Sequence, residues 1–385
     1  MILFSINVNS QLRGLKYDDK LLFQGMSGIN LSLYSQSWNI TDFGKISQTS
    51  VPINLTIPIT NRIIFSVINS PVITTRKSDA TPLREAVDEK IQNLSDTRLS
   101  LSYVLPGDKT WINSNFSLPT GLTKLNPTQF EIARVISQSG FNFRVPVFGQ
   151  GTNGTIGVTN ARVVNRRLTF GYGVSLGYKS KFSPYVVTKE TLKTESIYDP
   201  GEDISANFGA DYTSQSKKIK YSGDVTITET IADKFNGKNS FKSGTRLNLF
   251  LVYQFKEDEI IHFAQIRARI KSKNKIFTDS ITLSQKSSQQ LEIQYNFRWI
   301  PSAWLSLSSF VDLKIHNGDQ IPFGEIVYEI GRARVGSIGA EIGLVPFRSG
   351  GINFGAKYNI GNISIEEKYF KATGLEFSIN SKFLF

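Results

Sequence analysis

Cysteine is absent from the 385 residues, and histidine and methionine occur only twice each. Without thiols there are no disulfide staples, no thiolate metal sites and no cysteine nucleophile. With His262 and His316 as the only imidazoles, a histidine-clustered metal site is unsupported as well, so the expectation is no metal and no cofactor. Long apolar runs are also missing. No stretch of eighteen or more apolar residues occurs, which excludes a transmembrane helix. The opening "MILFSINVNSQLRG" has no basic region followed by an apolar core, so either the chain is cytosolic or a signal peptide is absent from this sequence. Negative charge is the scarcer sign: the formal net charge is +12, which points to nucleic acid, anionic lipid or an anionic solute depending on where the basic side chains face.

What the chain has in quantity is alternation with a period of two. In "GLEFSINSKFLF", Leu375, Phe377, Ile379, Phe383 and Phe385 share one parity, interrupted by Ser381, while Glu376, Ser378, Asn380 and Lys382 hold the other. "RLNLFLVYQFK" sets Leu247, Leu249, Leu251, Tyr253 and Phe255 against Arg246, Asn248, Gln254 and Lys256. "LEIQYNFRW" and "WLSLSSFVDLKIH" repeat the rule, and so do the stretches around Phe170, Phe208 and Ile53. Side chains two apart point the same way on a strand, so each segment has one greasy and one wettable face.

The connections alternate too. "PGDK", "NRR", "SQSKK", "KEDE" and "IPS" are tight, whereas 180–202, 232–243 and 272–287 are long and polar. Two segments carry helical spacing instead. "TPLREAVDEKIQNL" offers Thr81 as a cap and Leu83, Val87, Ile91 and Leu94 on one stripe; "NPTQFEIARVISQ" offers Asn126 with Gln129 as a capping box and Phe130, Ala133 and Ile136 on one side. Both fall in long loops, as short caps on the loop end or as a plug. "FGQGTNGT" has the glycines of a phosphate loop but not its Gly-Lys-Ser/Thr ending.

A soluble sandwich would pack large side chains on its inner face. Here Thr169, Gly171, Gly173, Ser175 and Gly177 lie opposite a wholly apolar face. Strands of about ten residues with tight turns at one end and long loops at the other fit a membrane barrel, greasy side to lipid and polar side to the lumen. The fold expected is all-β, a closed antiparallel transmembrane β-barrel of about sixteen strands within fourteen to eighteen. It has short turns at one end and long loops with short helices at the other. Residues 1–385 form a single barrel domain, with 1–27 as an extra strand or plug segment.

The Phe-ended amphipathic last strand resembles the C-terminal signal by which bacterial outer-membrane barrels are recognised by their assembly machinery, carried by Phe377, Ile379, Phe383 and Phe385. In size and loop-side helices the chain is similar to the porin and long-chain fatty acid transporter (FadL-like) groups of Gram-negative bacteria. The resemblance implies an outer-membrane location, contact with outer-membrane lipid and barrel-assembly machinery, and a monomer or trimer.

With parity fixed, Arg267, Arg269 and Lys271 line one strand on the lumen side, joined by Arg246, Arg298, Lys314 and Lys357, with Glu292, Asp312 and Glu341 among the acidic partners. A cationic row in an aqueous lumen favours anions; paired with carboxylates it is a structural ladder. The function expected is a channel or transporter passing small solutes, anionic or hydrophobic, and not an enzyme. The alternatives are a barrel enzyme, for which His316 with Asp312 or Ser308 is the only candidate, and a non-transporting barrel whose loops bind a partner. Nucleic acid binding is disfavoured because the basic residues are dispersed over many strands.

Overall fold

The computed structural model describes residues 27–385 apart from 79–85, 123–124, 137–139, 146–148, 150, 183–185, 190–191, 196, 279–280, 286–287, 324–325, 348 and 366–367. The alternating segments form sixteen antiparallel staves: β1 (Gly28–Ile40), β2 (Gly44–Ser50 continued by Ile53–Pro58), β3 (Ile63–Asn69 and Pro71–Ser78), β4 (Val87–Leu94 and Thr97–Val104) and β5 (Thr110–Leu118). They continue as β6 (Asn153–Asn165), β7 (Leu168–Lys179), β8 (Asp203–Thr213), β9 (Ile219–Thr230), β10 (Arg246–Glu257) and β11 (Ile260–Lys271). The last five are β12 (Gln289–Ser302), β13 (Leu305–Phe323), β14 (Ile326–Phe347), β15 (Gly350–Ile365) and β16 (Lys368–Leu384). Each pairs with its chain neighbours, and β16 pairs with β1 from Gly28↔Leu384 to Ile40↔Ala372, so the sheet closes and has no open edge. Closure meets a demand of the membrane: with no water in hydrocarbon, every backbone group must find a partner within the sheet.

Short connections stand at the end that holds Phe385, namely 59–62, 105–109, 166–167, 214–218, 258–259 and 303–304, while the β1–β2 turn 41–43 is a short one at the opposite end. Their chemistry is local. Asp108, Lys217 and Asp258 take positive φ in these turns, and the Asn165 side chain accepts from the backbone N–H of Arg167 and Leu168. The segment 300–302, expected as a turn, instead prolongs β12, and the reversal falls at Ala303–Trp304. The opposite end carries the long connections 119–152, 180–202, 231–245 and 272–288.

Around the middle and the short-turn end the greasy faces point outward. Val174 is 63% exposed, Ile338 60% and Phe377 56%, figures that in a water-soluble domain would be untenable over a whole girdle. Aromatic rings collect near the short turns, with Tyr212, Tyr221 and Tyr253 in a row and Phe255, Tyr295 and Phe297 around His262.

Toward the long-loop end the polarity reverses. On β1 the outward residues pass from Leu31 and Leu33 to Ser35 and Asn39, while the inward ones pass from Ser32 and Tyr34 to Trp38 and Ile40, both fully buried. On β14, β15 and β16 the outward Arg334, Asn362 and Lys371 stand beside the inward Val335, Ile363 and Ala372. The cause is a segment folded into the barrel. The described residues between 121 and 151 turn inward, and α1 (Pro127–Ile136) packs Ile132, Ala133, Val135 and Ile136 with Phe141 against Trp38, Ile46, Ile91, Val335 and Ile363. The inward-folded plug, not a cap on the loops, is therefore the place of this helix. Its N-terminus is the expected capping box: Asn126 N–H donates to Gln129 at 3.1 Å and Gln129 N–H to Asn126 at 2.7 Å.

The other expected helix does not form where it is described. Residues 87–94 are the upper part of β4, paired with β3 from Ser78↔Val87 to Pro71↔Leu94, and 81–85 lie outside the described residues. Ile91 points inward to the plug while Asp88, Lys90 and Gln92 face out. Thus the apolar side here is the inner one, opposite to the rest of the strand, and a one-residue shift in β4 at Ser95–Asp96 completes the mismatch. Above the barrel the long connections build a small sheet of their own, from Tyr198–Asp199, Asp233–Phe235, Lys238–Lys242, Lys275–Phe277 and Thr282–Ser284. The extra strand or plug expected in 1–27 lies outside the described residues but for Ser27, whose backbone bonds Phe385.

Candidate functional site

The plug is tied at its neck and latched at its far side. At the neck, Gly149 N–H donates to the Leu122 carbonyl at 2.7 Å, and Asp96, in the irregular stretch of β4, accepts from Gly121 N–H at 3.0 Å. A Cβ on Gly149 would come within 2.5 Å of that same carboxylate oxygen and 3.1 Å of the Gly121 Cα, so a larger residue would push Asp96 out of its bond to Gly121. Asn93 adds a bond to Leu122 N–H. On the far side Gln36 and Trp38 of β1 both donate to the Phe141 carbonyl, and Gln48 of β2 exchanges two bonds with the backbone of Val145. Arg144 closes the latch on Glu376 of β16, with Nη2 at 2.6 Å and Nε at 3.1 Å from one oxygen, its guanidinium 4.6 Å over the Tyr34 ring. The plug thus covers β14–β16 and β1–β4 toward the long-loop end.

From β10 round to β16 the inner face is charged. Arg267 lies 3.3 Å from Glu292, which also receives Lys314 at 3.1 Å; Lys357 lies 2.7 Å from Asp312. Arg269 donates to Asn248 at 3.0 Å, and Arg267 stands 5.3 Å over Phe250. Arg246 pairs in register with Lys271 and reaches Asp203 at 3.3 Å, a carboxylate also held by Lys179 at 2.8 Å. Arg298 donates through Nε to Ser308 at 3.0 Å, and Glu341 is the register partner of Ser308. The ten charges picked from the sequence therefore fall on one side of the sheet. Those with acidic partners form separate ion-paired groups between β8 and β15 rather than a bare cationic row.

The wall from β4 to β9 is different. Ser100 and Ser102 donate to Asn115 and Asn113, Asn115 donates to Thr155, and Ser205 bonds Thr228. Gly171, Gly173, Gly177 and Gly209 keep that wall low, and a Cβ on Gly173 would sit 2.7 Å from Asn207, Thr159 and the Val158 carbonyl. Asn115 and Thr155 remain exposed, and the Asp211 side chain is 50% exposed, whereas Gln36, Gln48, Thr74 and Glu376 beneath the plug are buried. Water therefore reaches the inner face on one side of the plug and not on the other.

His316 is not at the start of a loop as expected; it sits within β13, buried, with Nδ1 against the Gly331 carbonyl. Asp312 is engaged by Lys357 and Ser308 by Arg298, so the three are not assembled into a relay. His262 lies outside the barrel, bonded to Tyr295 at 2.7 Å. Phe377, Ile379, Phe383 and Phe385 all face outward on or just past β16. What sequence reasoning missed is the latch. Arg144 and Gln36 lie on a loop and on a wall 108 residues apart, and only the inward fold brings them to Glu376 and Phe141.

The sequence matches no family model, and a search of curated proteins finds no match. Among solved structures the chain is similar to a bacterial polysaccharide outer membrane secretin, with 9% identity over 94% of this chain and 99% of that one and a TM-score of 0.45. It is also similar to the TodX monoaromatic hydrocarbon channel in a deltaS2 mutant form (9%, covering 94% and 90%, TM-score 0.45) and to an anion-selective porin from Comamonas acidovorans (9%, 94% and 98%, TM-score 0.44). At such identity the likeness is one of barrel architecture alone. This chain's own closed even-numbered sheet, its outward apolar girdle and its split between short turns and long loops make it a β-barrel of the bacterial outer-membrane kind.

Proposed function

We propose that the chain is an outer-membrane channel passing small solutes, with anions favoured, through the space between the inward-folded plug and the opposite wall. The observation that carries this reading is the one-sided solvent access of the inner face. A solute meets mostly small polar groups on β4–β9, with Asp203, Asp211 and Asp224 among them, and a charged wall on β10–β12, where Arg267 and Arg269 lie on the lumen side. Fixed cations at close quarters raise the local anion concentration even when some are partnered, because the ladder carries more basic than acidic groups.

The cationic residues are proposed to set selectivity and the plug to set the bore. Porin-like passage along the axis fits this arrangement better than a FadL-like hydrophobic route, since the water-accessible wall is hydroxyl, amide and charge. Replacing Arg267 and Arg269 together by Gln should lower the ratio of chloride to potassium permeability, read as a shift in reversal potential across a salt gradient, with the single-channel conductance changed less than the ratio. An unchanged ratio would remove these two residues from the selectivity step. The outward residues of β16, Phe377, Ile379, Phe383 and Phe385, are proposed to present the strand to the assembly machinery.

A further inference from the structure

The polarity reversal leaves a band of cations on the outside of the barrel. Above the last outward apolar residues of β14–β16, Ile338, Ile360 and Leu375, the next outward positions toward the long-loop end include Arg334 and Lys371; β2 and β4 add Lys45 and Lys90. Register places Arg334 beside Asn362 and Asn362 beside Lys371, while Asn39 of β1 lies beside Lys45 and Lys45 beside Lys77. Adjacent strands lie about 4.8 Å apart, so these groups lie a few strands from one another along one continuous arc.

Lys45, Lys90, Arg334 and Lys371 make no ion pair among the described residues, and Lys77 holds Asp88 at 3.3 Å with both side chains mostly exposed. The described acidic residues on this arc are Asp88 and Asp42, and between the cations stand hydroxyls and amides, including the Ser47–Thr75 pair at 2.7 Å. A surface of this kind directly above a lipid-facing band has one natural counterpart. From this placement we infer that the arc over β14–β16 and β1–β4 binds the phosphate groups of an anionic, phosphorylated glycolipid in the outer leaflet. The acyl chains lie along Leu375 and Ile360, and the phosphates meet Lys371, Arg334, Lys45 and Lys90. The charge complementarity and the continuity with the apolar band commit the site to a membrane lipid, not to a free anion, and the inference does not depend on what passes through the lumen.

The test uses the folded full chain in zwitterionic detergent, titrated with diphosphorylated lipid A and, separately, with phosphatidylcholine and with inorganic phosphate, binding being read by native mass spectrometry. Lipid A should be retained and the other two should not. The K45Q/K90Q/R334Q/K371Q variant should bind lipid A at least roughly tenfold more weakly, while K217Q at the short-turn end should bind like the parent. Heat-modifiable gel migration reports folding, and if the fourfold variant does not fold, R334Q/K371Q alone should still weaken binding severalfold. Equal lipid A binding by the folded variant would overturn the site, as would retention of inorganic phosphate at the concentrations where lipid A binds.

Discussion

Glu376 shows how much one side chain can carry. It is buried, it takes both nitrogens of the Arg144 fork on one oxygen, and it stands in register between Lys357 and Gln36. Glu376→Gln would leave the guanidinium facing an amide, but Arg144 still reaches water, so the loss should be about 1–2 kcal/mol rather than the full cost of breaking a buried pair. The expected outcome is faster protease cleavage within 121–151 in the otherwise folded barrel; an unchanged cleavage rate would mean that the latch does not hold the plug. Its side of the strand follows from the alternation, but nothing in the local sequence announces its partner, which is 232 positions away. The lumen parity of Arg267 and Lys314 likewise follows from counting by twos.

At the scale of elements, the plug is held by packing more than by charge. Phe141 is fully buried and meets Trp38 edge-on with ring centroids 5.4 Å apart. Phe141→Ala should cost about 3–5 kcal/mol of plug docking, raise single-channel conductance and alter the fluorescence of Trp38. Conductance equal to the parent would place the narrowest point elsewhere. The loop sheet has its own pin: Tyr198 donates to Asp233, whose other oxygen accepts from Gly201 N–H at 2.7 Å. Burial first, and then the Asp233 contact, push the Tyr198 phenol well above its ordinary value. A raised value favours the neutral phenol in the fold, so its contribution is complete below pH of about 10 and fades as the pH climbs beyond it. Loop cleavage by protease should therefore accelerate above that pH in the parent and lose this dependence in Tyr198→Phe. The strands themselves were legible because lipid and lumen impose opposite demands on successive residues. Where the outside is water and the inside is plug, those demands reverse, and this is why 87–94, with Ile91 inward and Lys90 outward, reads as a helix stripe. The loop sheet was hidden because its strands are three to five residues long or shorter and come from three separate connections.

As a whole molecule the barrel is asymmetric in two directions. Along its axis, lipid-facing apolar rows give way to an outward polar arc where the plug begins. Around its axis, a covered sector from β13 to β4 faces a wetted sector from β4 to β12. Closure, strand number and turn asymmetry were all within reach of the sequence, since each follows from period and spacing. The side on which the plug would lie was not, because it depends on contacts between one loop and seven strands. The most direct test of the central claim is single-channel recording of the full chain in a planar bilayer. Discrete conductance steps with chloride favoured over potassium are the predicted result; a folded, inserted barrel that passes no current under any applied voltage would contradict it.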